Sequence, residues 1–246
     1  MSRASYWTRV VLVELYGYRE WTESLGSRRE WRVQEAQTEV YKVLQRESEK
    51  LGFFALPGRF DYEILLAPNA DPEALPGLLE ALKAVSPTPL RASSACGETP
   101  RDSERESFKL LSETPLSSVA FRECRRPEAI AIAHIDFNNI TGYTRRTSPL
   151  ESLVHFTEIY ARIARLAFDW GGIAAYLGGD NVLVAMSPAV VDSLTSRLLE
   201  IADLKAGVGI AESAGEAVAL ATEALDDVRR HGLRERVVVK SSLREA

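Results

Sequence analysis

The chain has 246 residues, 46% hydrophobic and 26% charged, enough for one large core or two small ones, which excludes disordered, collagen-like and disulfide-framework classes. A net charge of −5 leaves no basic footprint for a nucleic-acid backbone. No apolar run approaches the roughly 18 residues a membrane helix needs, and no signal-type segment precedes a cleavage site, so a cytoplasmic protein without membrane or nucleic-acid partners is expected.

In chain order, residues 10–15 read as a strand, 29–51 as a helix, 53–56 and 62–67 as hairpin strands, 72–85 as a helix and 90–96 as a strand. Residues 114–128, with Pro115, Ser117, Ser118 and Pro127, hold no sustained period and read as a linker between domains 1–113 and 129–246. The second domain opens with an Ile-rich strand that runs into Asp136 and the polar turn 137–142. From Pro149 to Trp170 apolar residues recur at three- and four-residue steps, a long helix capped by Ser148. Residues 173–177 and 182–186 flank Gly178-Gly179-Asp180-Asn181 as a hairpin. A helix to about residue 201, a strand 204–211, a helix 213–231 and a strand 236–240 complete the domain.

Both halves therefore share one order, and residues 90–98 align without gaps to 204–212, so an internal duplication is expected. The fold class is α+β, two tandem ferredoxin-like domains. In that split βαβ arrangement the third strand lies antiparallel between the first and second. The end of the strand bearing Asp136 then meets the start of the strand bearing Asp180.

Two carboxylates at a sheet edge are hard oxygen ligands suited to Mg²⁺, with positions left open for phosphate oxygens and water. The structural alternative is a turn in which each Asp bonds its own backbone. Only four asparagines occur in the chain, and Asn138, Asn139 and Asn181 lie in these two loops. The loop Asn138-Asn139-Ile140-Thr141-Gly142 leads toward a helix, so its amides could cradle phosphates or simply form an Asx-turn. Arg145, Arg146 and Lys205 are counter-charge candidates for a triphosphate, Lys205 foremost because its strand adjoins that of Asp136. His134 shares a strand face with Asp136 and reads as a sheet-face histidine rather than a base. Glu14 and Asp61 occupy the matching positions of the first half, where Pro57 and Arg59-Phe60 interrupt the compact turn; a structural role is expected there. His134, His155 and His231 share no zinc-ligand spacing, and Cys96 and Cys124 form no CxxC pair, so neither zinc nor cysteine chemistry is expected.

At residues 132–142, 177–181 and 204–210 the sequence resembles the archaeal GTP cyclohydrolase III family. Glu20-Trp21-Thr22, Arg28-Arg29-Glu30 and Arg59-Phe60-Asp61 extend the resemblance into the first half. The resemblance implies tandem palm-like domains that hydrolyse the imidazole ring of GTP to 2-amino-5-formylamino-6-ribosylaminopyrimidin-4-one 5′-monophosphate and phosphate. It implies Asp136 and Asp180 as catalytic ligands of two Mg²⁺ ions, assisted by the Phe137 carbonyl, and a monovalent cation such as K⁺ as activator. Substrate contacts are expected at Asn138, Asn139, Ile140, Thr141, Gly142, Gly178, Gly179, Asn181 and Lys205. Glu14 departs from the Asp expected in the first half. A GGDEF-like nucleotidyl cyclase and a non-catalytic guanine-nucleotide sensor are the alternatives; the cyclase lacks its further acid, because Asn181 stands there. A homo-oligomer is expected from the exposed sheet faces of two small palms.

Overall fold

The computed structural model describes residues 6–231 and 236–243. The first half comprises β1 (Thr8–Leu15), α1 (Tyr18–Ser24), α2 (Arg29–Lys50), β2 (Phe54–Leu56), β3 (Tyr62–Leu66), α3 (Leu75–Lys83), β4 (Leu90–Gly97), α4 (Pro100–Ser112) and β5 (Val119–Phe121). The second comprises β6 (Ile130–Phe137), α5 (Ile140–Arg146), α6 (Pro149–Asp169), β7 (Ile173–Gly178), β8 (Asn181–Met186), α7 (Val191–Leu198), β9 (Leu204–Ala211), α8 (Ala214–His231) and β10 (Val237–Ser241). A 3-10 turn at Pro188–Val190 precedes α7.

The two sheets have the orders β2-β3-β1-β4-β5 and β7-β8-β6-β9-β10, the same topology written twice. In each, the first strand is central and antiparallel to both neighbours, and the last strand joins in parallel. The third strand lies between first and second, so the ferredoxin-like arrangement and the duplication hold.

Both central strands are buried on two faces. Val11, Val13 and Leu15 of β1 pack on α2 and α3 through Val40, Leu44, Leu78 and Leu82. Ala133 and Ile135 of β6 pack on α6 and α7 through Phe156, Ile163, Leu194 and Leu198. The opposite faces meet in a third core shared by the halves: Val10, Leu12 and Leu111 with Ile130, Ile132, Ala217 and Ala221. Alternation along each strand thus feeds two different cores. On β9, Gly207 and Gly209 let α8 approach so closely that an added Cβ would fall 2.1 and 2.0 Å from its backbone.

Ser148 caps α6 as expected, its Oγ accepting from the Glu151 amide at 3.1 Å. Four elements went unread. In α4 two of the four buried positions are serines, Ser103 and Ser107, whose hydroxyls donate to the carbonyls of Thr8 and Val10 at 2.9 and 2.7 Å; Pro100 and Leu111 are the others. With serines in the middle of its buried face the helix shows no apolar period. Short α1 and α5 bury no residue and show none either. The stretch 114–128 contains β5, paired in parallel with β4 from Ala92↔Val119 to Ser94↔Phe121; three residues are too few to display alternation.

That pairing also brings Cys124 to Cys96 at the end of β4, and the two form a disulfide with Cα atoms 5.9 Å apart. The expectation that the cysteines have no chemistry is therefore corrected: the partners are 28 residues apart in sequence and adjacent only through the sheet. Reduction is expected to lower the melting temperature, since opening a loop of that length forfeits about 3.6 kcal/mol in the chain-entropy account. Thermal unfolding with and without reductant, beside Cys96→Ser, measures this.

Glu63 on β3 is 1% exposed, and neither carboxylate oxygen has a hydrogen-bond partner among the described residues. Burial, aided by the charge of Asp61, pushes its carboxyl up to about 7 from an ordinary 4.5. The folded state therefore binds a proton that the unfolded chain releases. The resulting penalty is absent below about pH 4.5, grows toward pH 7 and is complete above it. Glu63→Gln is expected to leave stability nearly unchanged at pH 4.5 and to raise it by about 3 kcal/mol at pH 8. Urea unfolding at the two pH values checks the sign.

Candidate active site

The site grows from the last turn of alternation in β6. His134 and Asp136 point to the face covered by α8, where Thr222 and Arg229, seven residues apart, lie two turns from each other on one stripe. Asp136 is 5% exposed and carries two cations on one oxygen. Lys205 Nζ, directly across the ladder on β9, lies 3.0 Å from Oδ2. Arg229 donates to the same Oδ2 through Nε at 3.1 Å and Nη2 at 3.0 Å. Burial disfavours the charge on Arg229, but its bonds to Asp136 and Asp226 outweigh that and hold its pKa above the ordinary value. None of these contacts uses Oδ1.

Beside it, the β7–β8 hairpin turns through Gly178 (φ 103°) and Gly179 (φ 63°), left-handed conformations that glycine adopts without strain. The Tyr176 hydroxyl donates to the Gly179 carbonyl at 3.1 Å. Asn181 donates through Nδ2 to the Gly178 carbonyl at 3.4 Å, and its Oδ1 accepts from His134 Nε2 at 3.1 Å. His134 and Asn181 therefore fasten the hairpin to the central strand. The β6–β8 ladder ends at Ile135↔Val182, and continuing its register places Asn181 across from Asp136 and Asp180 across from Phe137. Alternation then separates the acids: Asp136 faces α8, whereas Asp180 lines a cleft of about 610 Å³ with Ile140, Thr141, Arg145 and Gly179. Asp180 has no ion-pair partner among the described residues.

The asparagine loop is built by its own contacts. Asn138 donates from its amide and from Nδ2 to the carbonyl and carboxylate of Asp203, at 3.1 and 2.8 Å. Asn139, at φ 57°, holds the N-cap position of α5 without a side-chain cap bond, and its Oδ1 lies where a Cβ on Gly142 would come within 2.2 Å. Of the residues read as substrate contacts, Ile140, Thr141 and Gly179 open on the cleft, and Asn181 and Lys205 stand on the Asp136 face. Asn138, Asn139 and Gly142 shape the loop, and Gly178 shapes the hairpin. Arg229 was missed; its signal was a cation one helical stripe from Thr222, legible only once α8 is known to cover β6.

The first half repeats the geometry in closed form. Glu14 faces Tyr62 on β3 and Arg91 on β4, the register positions of Asn181 and Lys205. Arg91 pairs with one Glu14 oxygen, and the Tyr62 hydroxyl donates to the other at 2.8 Å. Asp61 is taken by Arg59 at 2.8 Å. Among the described residues, the sole cluster of three His, Cys, Asp or Glu is Cys96, Cys124 and Glu128, where the cysteines are oxidised and Glu128 is bonded to Arg9. A nitrogen- and sulfur-ligated centre does not fit these residues. The oxygen donors Asp136, Asp180 and the Phe137 carbonyl suit a hard cation.

Fold and site together define a ferredoxin-like α+β chain of two duplicated halves, in which Asp136 of the second keeps one oxygen outside its ion pairs while Glu14 of the first is bonded through both. The family model of GTP cyclohydrolase III matches residues 10–242. The chain is 38% identical over 222 residues to the GTP cyclohydrolase III of Aeropyrum pernix, covering 90% of this chain and 92% of that protein. To the GTP cyclohydrolase III of Saccharolobus solfataricus it is 28% identical over 223 residues, covering 91% and 95%. The chain belongs to the GTP cyclohydrolase III family. Solved structures similar to one half include an EAL/GGDEF domain protein from M. capsulatus (16% identity, TM-score 0.38, 48% of this chain and 88% of that one). The GGDEF domain of PA1120 from Pseudomonas aeruginosa is another (16%, 0.39, 48% and 84%). At those scores the fold assignment rests on strand order instead.

Proposed function

We propose that the chain hydrolyses GTP, opening the imidazole ring to the formylaminopyrimidine ribonucleotide monophosphate and releasing the terminal phosphates. The observation that carries this reading is the Asp136–Lys205–Arg229 cluster at the end of β6, beside the unpaired Asp180. Asp136 through Oδ1, the Phe137 carbonyl and Asp180 would hold Mg²⁺, two ions in the reading proposed here. When bound, Mg²⁺ in such a site acidifies water and neutralises phosphate charge.

The chain's own residues supply the rest. Lys205 and Arg229 now neutralise Asp136 from one side. A triphosphate bound at this end of β6 would meet both side chains, Arg229 with a fork that matches phosphate oxygens and Lys205 as a point charge. The cleft beside Asp180 offers an apolar wall of Ile140, Leu153 and Tyr176 with the hydroxyls of Thr141, Thr144 and Ser152, a lining suited to a flat base with a polar edge. Asn181, bonded to His134, holds the hairpin instead of adding a further acid, which supports hydrolysis over cyclisation.

Incubation with GTP, Mg²⁺ and K⁺, followed by ultraviolet absorbance and product mass, tests the proposal. A ring-opened monophosphate with free phosphate, formed more slowly without K⁺, is expected. A cyclic nucleotide, or tight GTP binding without turnover, overturns it.

A further inference from the structure

The duplication is broken at one place that the hydrolytic reading does not use. The N-terminus of α4 rests on the end of α6: Thr99 caps α4, and the Arg101 amide donates to the Gly171 carbonyl at 2.9 Å. The N-terminus of α8 rests on the end of α2 in the same way: Ser213 caps α8, and the Gly215 amide donates to the Gly52 carbonyl at 3.0 Å. Gly52 and Gly171 both close their helices in the left-handed conformation, φ 69° and 78°. The gapless alignment of 90–98 with 204–212 carries Arg101 onto Gly215, and matching the helix ends carries Phe168 onto Glu49.

On the α4 side the groove is filled by the chain itself. Arg101 Nη1 donates to the Phe168 carbonyl at 2.8 Å, and the guanidinium lies 5.1 Å from the centre of the Phe168 ring. On the α8 side glycine stands in place of that arginine. What remains is a cavity of about 590 Å³ walled by Phe53, Phe54 and Val218, with Glu49 and Glu216 at its rim. Neither glutamate has an ion-pair partner among the described residues, and Arg46 beside them is turned to Glu47 at 2.9 Å. The Glu49 carbonyl accepts only the Gly52 amide, at 3.2 Å, which leaves its second lone pair for the place a guanidinium occupies on the other side.

We propose that this groove between α2, β2 and the start of α8 binds a guanidinium group, supplied by a small molecule or by an arginine of a second copy. The carbonyl and the two carboxylates accept from the planar donor fork, and the phenylalanines cover its apolar stem. The inference is independent of the reaction at Asp136.

The experiment uses the full chain with agmatine, a guanidinium on a short alkyl stem, and n-butylamine as the control without the fork. Saturable calorimetric binding of one agmatine per chain is expected, at least ten-fold tighter than butylamine and weakened at least ten-fold in the Glu49→Gln, Glu216→Gln double variant. Gly215→Arg refills the groove as Arg101 does. A Cβ at Gly215 meets nothing closer than 3.5 Å, so the variant is expected to fold, to melt higher than the parent and to lose agmatine binding. Light scattering during the titration identifies the source: a fall in mass shows that agmatine displaces an arginine of a second copy, and a constant mass shows a site for a free ligand. Absence of agmatine binding, or its survival undiminished in Gly215→Arg, overturns the proposal.

Discussion

Asp136→Asn is expected to lower the turnover of GTP about 10³-fold, roughly 4 kcal/mol of transition-state stabilisation, with Asp180→Asn showing a loss of similar size. Both acids would lose the charged oxygen that a hard cation requires. The two variants should differ in binding. Asp136 is the acid that Lys205 and Arg229 share, so its neutral replacement leaves Lys205 unopposed and Arg229 with Asp226 alone at the end of β6. Metal-free binding of a triphosphate is therefore expected to tighten in Asp136→Asn and to stay unchanged in Asp180→Asn, an acid with no ion-pair partner among the described residues. Steady-state kinetics, equilibrium binding in chelator and a circular-dichroism spectrum separate these effects from misfolding. Full activity in either variant would remove that acid from the site.

Glu128→Ala should cost about 3–5 kcal/mol of stability, because it strands a buried cation. Arg9 is 1% exposed; its Nη2 meets Glu128 Oε1 at 2.7 Å, and its Nη1 donates to Ser94 and to the Arg122 carbonyl. The Arg9 guanidinium also lies 4.3 Å from the centre of the Phe121 ring. Glu128 in turn accepts from the Asn69 amide at 2.8 Å. The pair ties β1 to the segment entering β6, so its loss is felt at the junction of the two halves. Replacing both partners, as Arg9→Met with Glu128→Leu, is expected to recover most of the loss, because no uncompensated charge remains. Urea midpoints of the single and double variants decide it; equal losses in both would show that packing, not charge, is what the pair supplies.

Much of this was legible in local pattern. The Ile-rich run before Asp136, the three- and four-residue steps after Ser148 and the glycines before Asp180 each report a conformation set within a few residues. Because the same order recurs in both halves, the duplication and the ferredoxin-like topology followed, and with them the placement of Asp136 opposite Lys205. The elements that escaped lack such a pattern: α4 buries serines, and β5 is three residues long.

The sequence by itself determined the order of the four strands common to both sheets and the acids at the strand ends, since periodicity and turn chemistry are short-range; β5 was not among them. Tertiary structure alone decided which acids are available. Glu14 and Asp136 hold matching register positions, yet Tyr62 and Arg91 close the first while Oδ1 of the second takes neither of its cations. It also decided that Cys96 meets Cys124, that Glu63 has no partner, and that Arg101 fills one groove while Gly215 leaves the other open. Each of these depends on which side chains distant in the chain are packed together, and burial and charge pairing are properties of that packing.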